Sequence, residues 1–409
     1  MLLNKFLNRI FPLSLRGGAL ASKFILIIFI SHAYNLSNLG EYALVVAGVS
    51  YIGYLLGFDF YTYSSRKIIG VSKNRQAYYL KNQFILYFVH YFIALVFLSV
   101  VIFLYPNQAS LVFIFVSLMI LDHLAQEIMR LLVVFEYPLI ANLQFFIRNG
   151  LWVYVYLLYY FISTDVPFHI IWYFWIAAEI ISIFFIVYLF KKIPLQAILK
   201  SKSNYSWVLQ GLKICFPLLV STLSLRGIFT ADRYILGFFD CKEIVGVYSY
   251  FSSFSSSVMA FIDAGVVMLF YPKLIKYYKS ECNHEYENVK RKFLNSILIT
   301  SILISVVLLI CVPMISKMTG KNDFLNSISL FYIMLLGSVL YCISLVYHFD
   351  LYARNLDKFI IKTSVVAFGI SFLLMIFLGY LFSATGIAIS QLIGIIILLF
   401  GKYRYSKLG

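Results

Sequence analysis

The chain has 409 residues, 62% of them hydrophobic and 12% charged, with a net charge of +16. An ordinary soluble domain is about half apolar and about a quarter charged, so that class is excluded. The basic residues are scattered over several short segments rather than gathered on one face, which argues against nucleic acid and for topology determinants and anionic-lipid contacts.

Lys5 and Arg9 precede an apolar run from about Leu13 to Tyr34. That run is too long for a signal-peptide core and ends in no small-x-small cleavage site, so it reads as an uncleaved first helix. A membrane span needs about 20 apolar residues. Apolar runs set against charged gaps predict spans over 13–34, 39–60, 84–104, 111–134, 145–162 and 169–190, then over 214–237, 247–270, 294–315, 328–349, 363–382 and 387–401. The predicted fold class is an all-α polytopic membrane protein of about twelve transmembrane helices. These spans and their short connections account for nearly the whole chain.

Twenty-four of the 33 Lys and Arg residues fall in alternate gaps, and the other gaps hold three. The long gaps 61–83, 191–213 and 271–293 carry five, five and six, whereas 105–110, 163–168 and 383–386 carry none. The positive-inside rule places the basic gaps, and with them both termini, in the cytoplasm. The remaining six cations lie at or inside the apolar stretches.

The halves echo each other at a period of 206 residues. Gly40 and Gly246 each open a helix after a short outside gap, Tyr42 and Tyr248 follow two residues on, and Asp59 and Asp263 follow nineteen and seventeen residues after the glycines. An even number of spans per repeat gives both halves the same orientation, related by an axis along the membrane normal.

Lys23 sits in the first span and Arg226 near the middle of the seventh. Counted back from the repeat glycines they are seventeen and twenty residues away, a difference of about 60° of helix rotation, so both could face one cleft. A central cation costs ~2.5–3.5 kcal/mol on insertion scales and is tolerated where it meets water, a counter-ion or a ligand. Snorkelling suits Arg16, close to the inner surface, better than Arg226.

The fourth span carries Asp122, His123, Glu127 and Arg130. Glu127 and Arg130 are three apart and can pair on one helix face. Asp122 lacks an obvious local partner, and Glu179 lies at the centre of the sixth span. Asp122, Glu179 and Glu127 are candidates for ion coupling, since buried carboxylates can load and release protons, or they are fixed counter-ions for Arg226 or Arg148. Asp232 and Arg233, toward the outer end of the seventh span, make either an interfacial ion pair or a gate, and Arg148 is a further cavity candidate. His32, His90, His169 and His348 read as interfacial residues. The 73 Phe and Tyr residues read chiefly as lipid-facing surface and interface belts.

The five cysteines are far apart, with no CxxC motif, so neither a disulfide framework nor a zinc site is expected. The chain has no GxxxxGK[ST] phosphate loop, no GxSxG and no HExxH, and the longest outside loop, near 316–327, has about a dozen residues. A transporter rather than an enzyme is expected, with no cofactor.

The segments "LGEYALVVAGVSYIGYLLGFDFYTYSSRKI", "ADRYILGFFDCKEIVGVYSYFSSF" and "FYPKLIKYY" resemble the bacterial oligosaccharide-lipid flippases of the O-antigen type. These form the polysaccharide exporter branch of the multidrug/oligosaccharidyl-lipid/polysaccharide (MOP) superfamily. The Gly-x-Tyr helix openings, an Asp-Phe near the inner end of the second helix and the Asp-Arg before the eighth carry the resemblance, in order and spacing, over essentially the whole chain. Two positions depart from the pattern. His32 stands where an Arg is common, which puts the family's outer cationic contact in doubt, and Tyr61 stands where Gly is usual.

The resemblance implies two six-helix bundles around a central cavity: residues 1–190, a cytoplasmic linker at 191–213, and residues 214–409. It implies a multi-pass protein of the bacterial cytoplasmic (inner) membrane. The cargo would be an oligosaccharide on undecaprenyl diphosphate, carried by alternating access for O-antigen or capsule assembly. Arg226 and Lys23 would bind the diphosphate headgroup. Membrane lipids, the polysaccharide polymerase and the chain-length regulator would be further partners. A drug or metabolite exporter of the same fold is the alternative, and a membrane polysaccharide polymerase is a more distant one.

Overall fold

The computed structural model describes the backbone of residues 2–408 and the side chains of 11, 12 and 14–408, so the side chains of Lys5 and Arg9 lie outside the described residues. Among the described residues the chain is helical, with short 3-10 and π turns and no strand. In chain order the helices are α1 (Leu2–Ala33), α2 (Leu36–Gly57), α3 (Phe60–Ile68), α4 (Lys73–Leu104), α5 (Ala109–Val134), α6 (Pro138–Phe146), α7 (Trp152–Ile162), α8 (Ile170–Ile183), α9 (Ile186–Lys192) and α10 (Leu195–Lys200). They continue with α11 (Tyr205–Gly227), α12 (Ala231–Phe239), α13 (Lys242–Ile262), α14 (Met268–Lys279), α15 (Asn283–Met318), α16 (Asn322–Asn326), α17 (Ile328–Ala353) and α18 (Asp357–Leu408). π turns at Ile147–Leu151 and Asp263–Val267 join α6 to α7 and α13 to α14.

Eleven of the continuous helical stretches among the described residues are long and apolar enough to cross a membrane. The last of them, α18, is two spans folded back at Ser383, whose φ of 51° is non-helical. Its arms run antiparallel: Ser371 Oγ donates to the Ser390 carbonyl at 3.0 Å, and the Phe359 and Tyr405 rings stack at 4.3 Å. At Gly386 only a glycine fits, since an added Cβ would stand 1.9 Å from the Leu378 carbonyl oxygen. Twelve spans result, as the apolar runs predict.

The helices pack into two compact units, Met1–Leu26 with Gly48–Leu219, and Ile27–Ala47 with Val220–Gly409. In the first, Phe60, Tyr63, Leu86, Tyr87, Val208 and Cys215 form one core cluster. A second joins Ile68, Ala77, Leu80, Leu131, Phe135, Leu189, Ile193 and Ile198. The basic gaps at 61–83 and 191–213 are largely helical rather than loops. In α3, Phe60, Tyr63, Ser64 and Ile68 recur at helical spacing and are buried, leaving Arg66 and Lys67 outside. The end of α10 and the segment after it are tied to α4: Lys81 Nζ donates to the Leu199 carbonyl at 2.8 Å, and the Asn82 side chain bonds Lys202 and Asn204 backbone.

In the second unit α17 packs against α13, α15 and α18, and Ile228, Ala367, Ile395 and Leu398 form a core cluster where α17 and α18 meet the α11–α12 connection. The outer face of α15 is a strip of exposed Ile299, Ile302, Leu303, Val306 and Ile310, suited to hydrocarbon. The turn between α1 and α2 belongs to this unit. Tyr234 donates to the Leu44 carbonyl at 2.8 Å, Lys321 to that of Tyr34, and Lys242 pairs with Glu41 at 3.4 Å.

Candidate functional site

Four of the charged residues singled out in the sequence gather in the first unit. Arg148 sits in the π turn between α6 and α7, where one extra residue per turn re-aims side chains and leaves carbonyls without their usual intrahelical donor. The Asn149 carbonyl accepts from Ser22 Oγ at 3.2 Å, which brings α1 against the turn. Arg148 is 6% exposed and donates from Nη1 to the Asp122 carbonyl at 3.2 Å, with Asp122 Oδ1 at 3.9 Å. Glu179 is fully buried; Trp175 Nε1 donates to its Oε1 at 3.0 Å, and Asp122 is an electrostatic neighbour. Trp175 is held in turn by a parallel stack on Trp152 at 6.0 Å. Lys23 reaches accessible surface beside this group and interacts electrostatically with Arg148 and Asp122.

Glu127 stands apart from that cluster. Its carboxylate accepts from Tyr87 Oη at 2.7 Å, from Gln83 Nε2 at 3.0 Å and from Arg130, with His123 at 3.9 Å. The Arg130 guanidinium lies 3.6 Å over the Tyr61 ring. The pairing with Arg130 follows from the i, i+3 spacing. The two partners on α4 come from 40 and 44 residues away, and nothing in the local sequence announces them.

In the second unit, the seventh span is broken directly after Arg226. α11 ends at Gly227 and α12 starts at Ala231, so Arg226 occupies a last helical turn rather than the middle of a continuous helix. A cation there is favoured by the helix dipole. Arg226 is exposed, and Asp263, at the start of the second π turn, is an electrostatic partner. Asp232, fully buried, accepts from Tyr248 Oη and from Gln391 Nε2, both at 3.0 Å, and from the Arg233 backbone N–H at 2.8 Å. The Arg233 guanidinium is held by the Phe229 carbonyl at 2.7 Å and by the Ser252 and Ser249 hydroxyls at 2.8 and 3.3 Å, with Asp232 Oδ1 at 3.5 Å. Asp232 and Arg233 thus anchor α12 to α13 and α18.

Two clusters escaped the sequence reading. Asp350, fully buried on α17, accepts from Tyr286 and Ser406 hydroxyls, from Arg354 at 3.0 Å and from Lys290 at 3.1 Å, joining α15, α17 and α18. It is the counterpart of the Glu127 cluster, an acid on one helix clasping a Tyr on an earlier helix and an Arg one turn on. Lys402, at the end of α18, is fully buried beside His348. Its place in a basic C-terminal run resembles that of an ordinary surface charge. Among the described residues no group of His, Cys, Asp and Glu could hold a metal ion.

No protein-family model matches the chain, and no curated protein sequence does. Solved structures do. An inward-facing multidrug resistance MATE transporter of the MOP superfamily aligns over 96% of this chain and 94% of its own, with a TM-score of 0.77 and 13% identity. The lipid II flippase MurJ in an inward closed conformation aligns over 97% and 87%, with a TM-score of 0.73 and 15% identity. The Vibrio cholerae MATE transporter VcmN, as a D35N mutant, aligns over 96% and 92%, with a TM-score of 0.57 and 14% identity. The chain therefore has the fold shared by these MATE and MurJ transporters, an all-helical polytopic membrane fold.

Proposed function

We propose that the chain is a flippase that moves oligosaccharide repeat units linked to undecaprenyl diphosphate across the bacterial cytoplasmic membrane by alternating access, for O-antigen or capsule assembly. The observation that carries this reading is that each unit holds an accessible cation within a predicted span, Lys23 on α1 in the first and Arg226 on α11 in the second. A diphosphate carries two or more negative charges, and moving it through hydrocarbon uncompensated would be prohibitive. Arg226 replaces part of its hydration with a planar, bidentate donor pair, and Lys23 adds a point charge. Residues 191–213 act as the cytoplasmic linker between the two halves. Asp122, Glu179 and Glu127 remain the coupling candidates, and Asp232, Arg233 and Arg148 the cavity or gate candidates. The likeness to a lipid II flippase supports a lipid-linked cargo.

Export of a cationic drug is the second reading. The MATE structures favour it, as do Asp122, Glu179 and Asp263, three carboxyl groups on spans. The two readings separate on one substitution made at chromosomal expression level. Arg226→Ala should abolish surface polysaccharide while the protein inserts at normal levels, and Arg226→Lys should retain part of the activity, because charge survives and the planar fork is lost. Wild-type polysaccharide from the Ala protein removes Arg226 as headgroup ligand. Drug sensitivity in the deletion strain, with its polysaccharide intact, favours the exporter.

A further inference from the structure

The basic gaps 61–83 and 191–213 belong to the first unit, and each holds five Lys and Arg with no Asp or Glu. The basic gap of the second unit is mixed: 271–293 sets six cations beside Glu281, Glu285 and Glu287. Acids contribute little to the positive-inside rule, so topology alone does not require their exclusion. An anionic partner does. Lys191, Lys192, Lys200 and Lys202 are exposed, and among the described residues none of them makes an ion pair, not even with Glu136, exposed on the turn after α5. Lys191 and Lys192 lie over the Tyr188 and Tyr137 rings at 4.7 and 5.4 Å, with their charge left for another group.

The same segment carries an apolar face. Ile193 and Ile198 are buried in the core cluster with Leu80 and Leu189. Leu195 and Leu199, one turn apart on α10, are instead 46% and 65% exposed. The level at which α10 is held accounts for them. Asn82 on α4 donates to the Lys202 carbonyl at 3.2 Å and accepts from the Asn204 backbone N–H at 2.6 Å. Lys81 Nζ donates to the Leu199 and Ser201 carbonyls at 2.8 and 2.5 Å. The apolar run of α4 begins at Phe84, two residues beyond Asn82, which is about 3 Å along the helix axis. The end of α10 therefore sits beside the edge of the hydrocarbon, at headgroup depth. A helix in that position buries leucines at the acyl boundary and turns lysines to the polar layer.

We propose that α10 and its flanks are an in-plane docking site for anionic phospholipids. Leu195 and Leu199 enter the acyl boundary, and Lys191, Lys192, Lys200 and Lys202 meet the headgroup phosphates. Charge complementarity selects the lipid, since an uncharged headgroup leaves the lysines without a counter-ion. The leucines select a lipid over a free phosphate, which offers them nothing. The inference needs the membrane fold and is independent of the cargo proposed above.

The test uses the full chain in nanodiscs of phosphatidylcholine, alone or mixed with phosphatidylglycerol, and follows amide hydrogen exchange over residues 195–204. Exchange there should slow when phosphatidylglycerol is present, and raised salt should remove much of that protection. The readout is the difference between the two lipid mixtures within one protein, so a general loosening of α10 cancels. Each lysine near an anionic surface contributes a factor of roughly 5 in affinity. Changing Lys191, Lys192, Lys200 and Lys202 together to Gln should therefore abolish the difference. The same change at Lys273, Lys276, Lys279 and Lys292 in the second unit should preserve it. Leu195→Ser with Leu199→Ser keeps the topology-setting charge and should also lose the difference, so it carries the test if the lysine variant fails to insert. Glycerol phosphate added free to phosphatidylcholine nanodiscs should protect nothing. Equal exchange in the two lipid mixtures overturns the proposal. So does protection that survives in either α10 variant, or protection by glycerol phosphate alone.

Discussion

Gly40 and Gly246 pack against each other's helices with matching geometry. A Cβ on Gly40 would stand 2.0 Å from the Lys242 carbonyl oxygen, and one on Gly246 would stand 2.3 Å from that of Leu36. Leu36 and Lys242 each precede their glycine by four residues, so α2 and α13 cross with the symmetry that the 206-residue spacing suggests. The residues that correspond between the halves are the residues that touch.

Gly40→Ala and Gly246→Ala should therefore each lower stability by about 1–3 kcal/mol, the usual cost of forcing a methyl into a filled contact. The double variant should lose less than the sum, since one displacement of the helices relieves both clashes. Gly53→Ala and Gly265→Ala, with nothing within 4 Å of the added carbon, are the controls. Melting followed by size-exclusion fluorescence decides it: glycine variants no less stable than the controls would show that the crossing yields freely.

Removing the Asp350 carboxylate leaves Lys290 and Arg354, each less than a fifth exposed, without their shared counter-ion. Asp350→Ala should cost about 3–5 kcal/mol, the range seen when a buried pair loses one partner. Protein abundance in the membrane should drop accordingly. A second change, Lys290→Met, should restore part of it by deleting one of the orphaned charges. Undiminished abundance in Asp350→Ala would mean that water already screens the cluster.

Asp232 depends on neutral donors from two other helices. Gln391→Leu and Tyr248→Phe each delete one bond at 3.0 Å and leave the carboxylate short of a donor, at about 1–3 kcal/mol. The two changes share an acceptor, Oδ2, so their effects should not add. Additive losses in thermal melting would argue that each residue acts through packing alone.

The charge distribution makes a topological prediction. Reporters fused after Ser203 or after Leu408 should be active only when they require the cytoplasm. A periplasmic signal from either fusion would reverse the assignment of the basic gaps.

Much of this architecture is legible in the chain because span length and charge asymmetry act over twenty residues at a time. The turn at Ser383 falls inside the predicted gap 383–386. The break after Arg226 was not legible. Ile228, Phe229 and Thr230 are as apolar as a helix interior, and the interruption is stabilised from outside by Gln391 Nε2 on the Ile228 carbonyl at 3.0 Å. The π turns escaped for a related reason: a single inserted residue shifts the helical phase without changing composition, yet it aims Arg148 toward Asp122 and sets Asp263 near Arg226. Residue types flagged the charged positions. Which acid meets which base was set by helices that lie far apart in the chain.

The segment Ile27–Ala47 lies early in the chain and yet is packed with helices that begin after residue 219. During synthesis the first two spans emerge before these partners are made, and the Lys242, Gly246 and Lys321 contacts arrive about 200 to 290 residues later. Until then the polar backbone of the α1–α2 turn must be satisfied by water at the membrane face. Final docking of that turn is therefore a late event in assembly, and a chain truncated before α13 would present it bare to the quality-control proteases of the membrane.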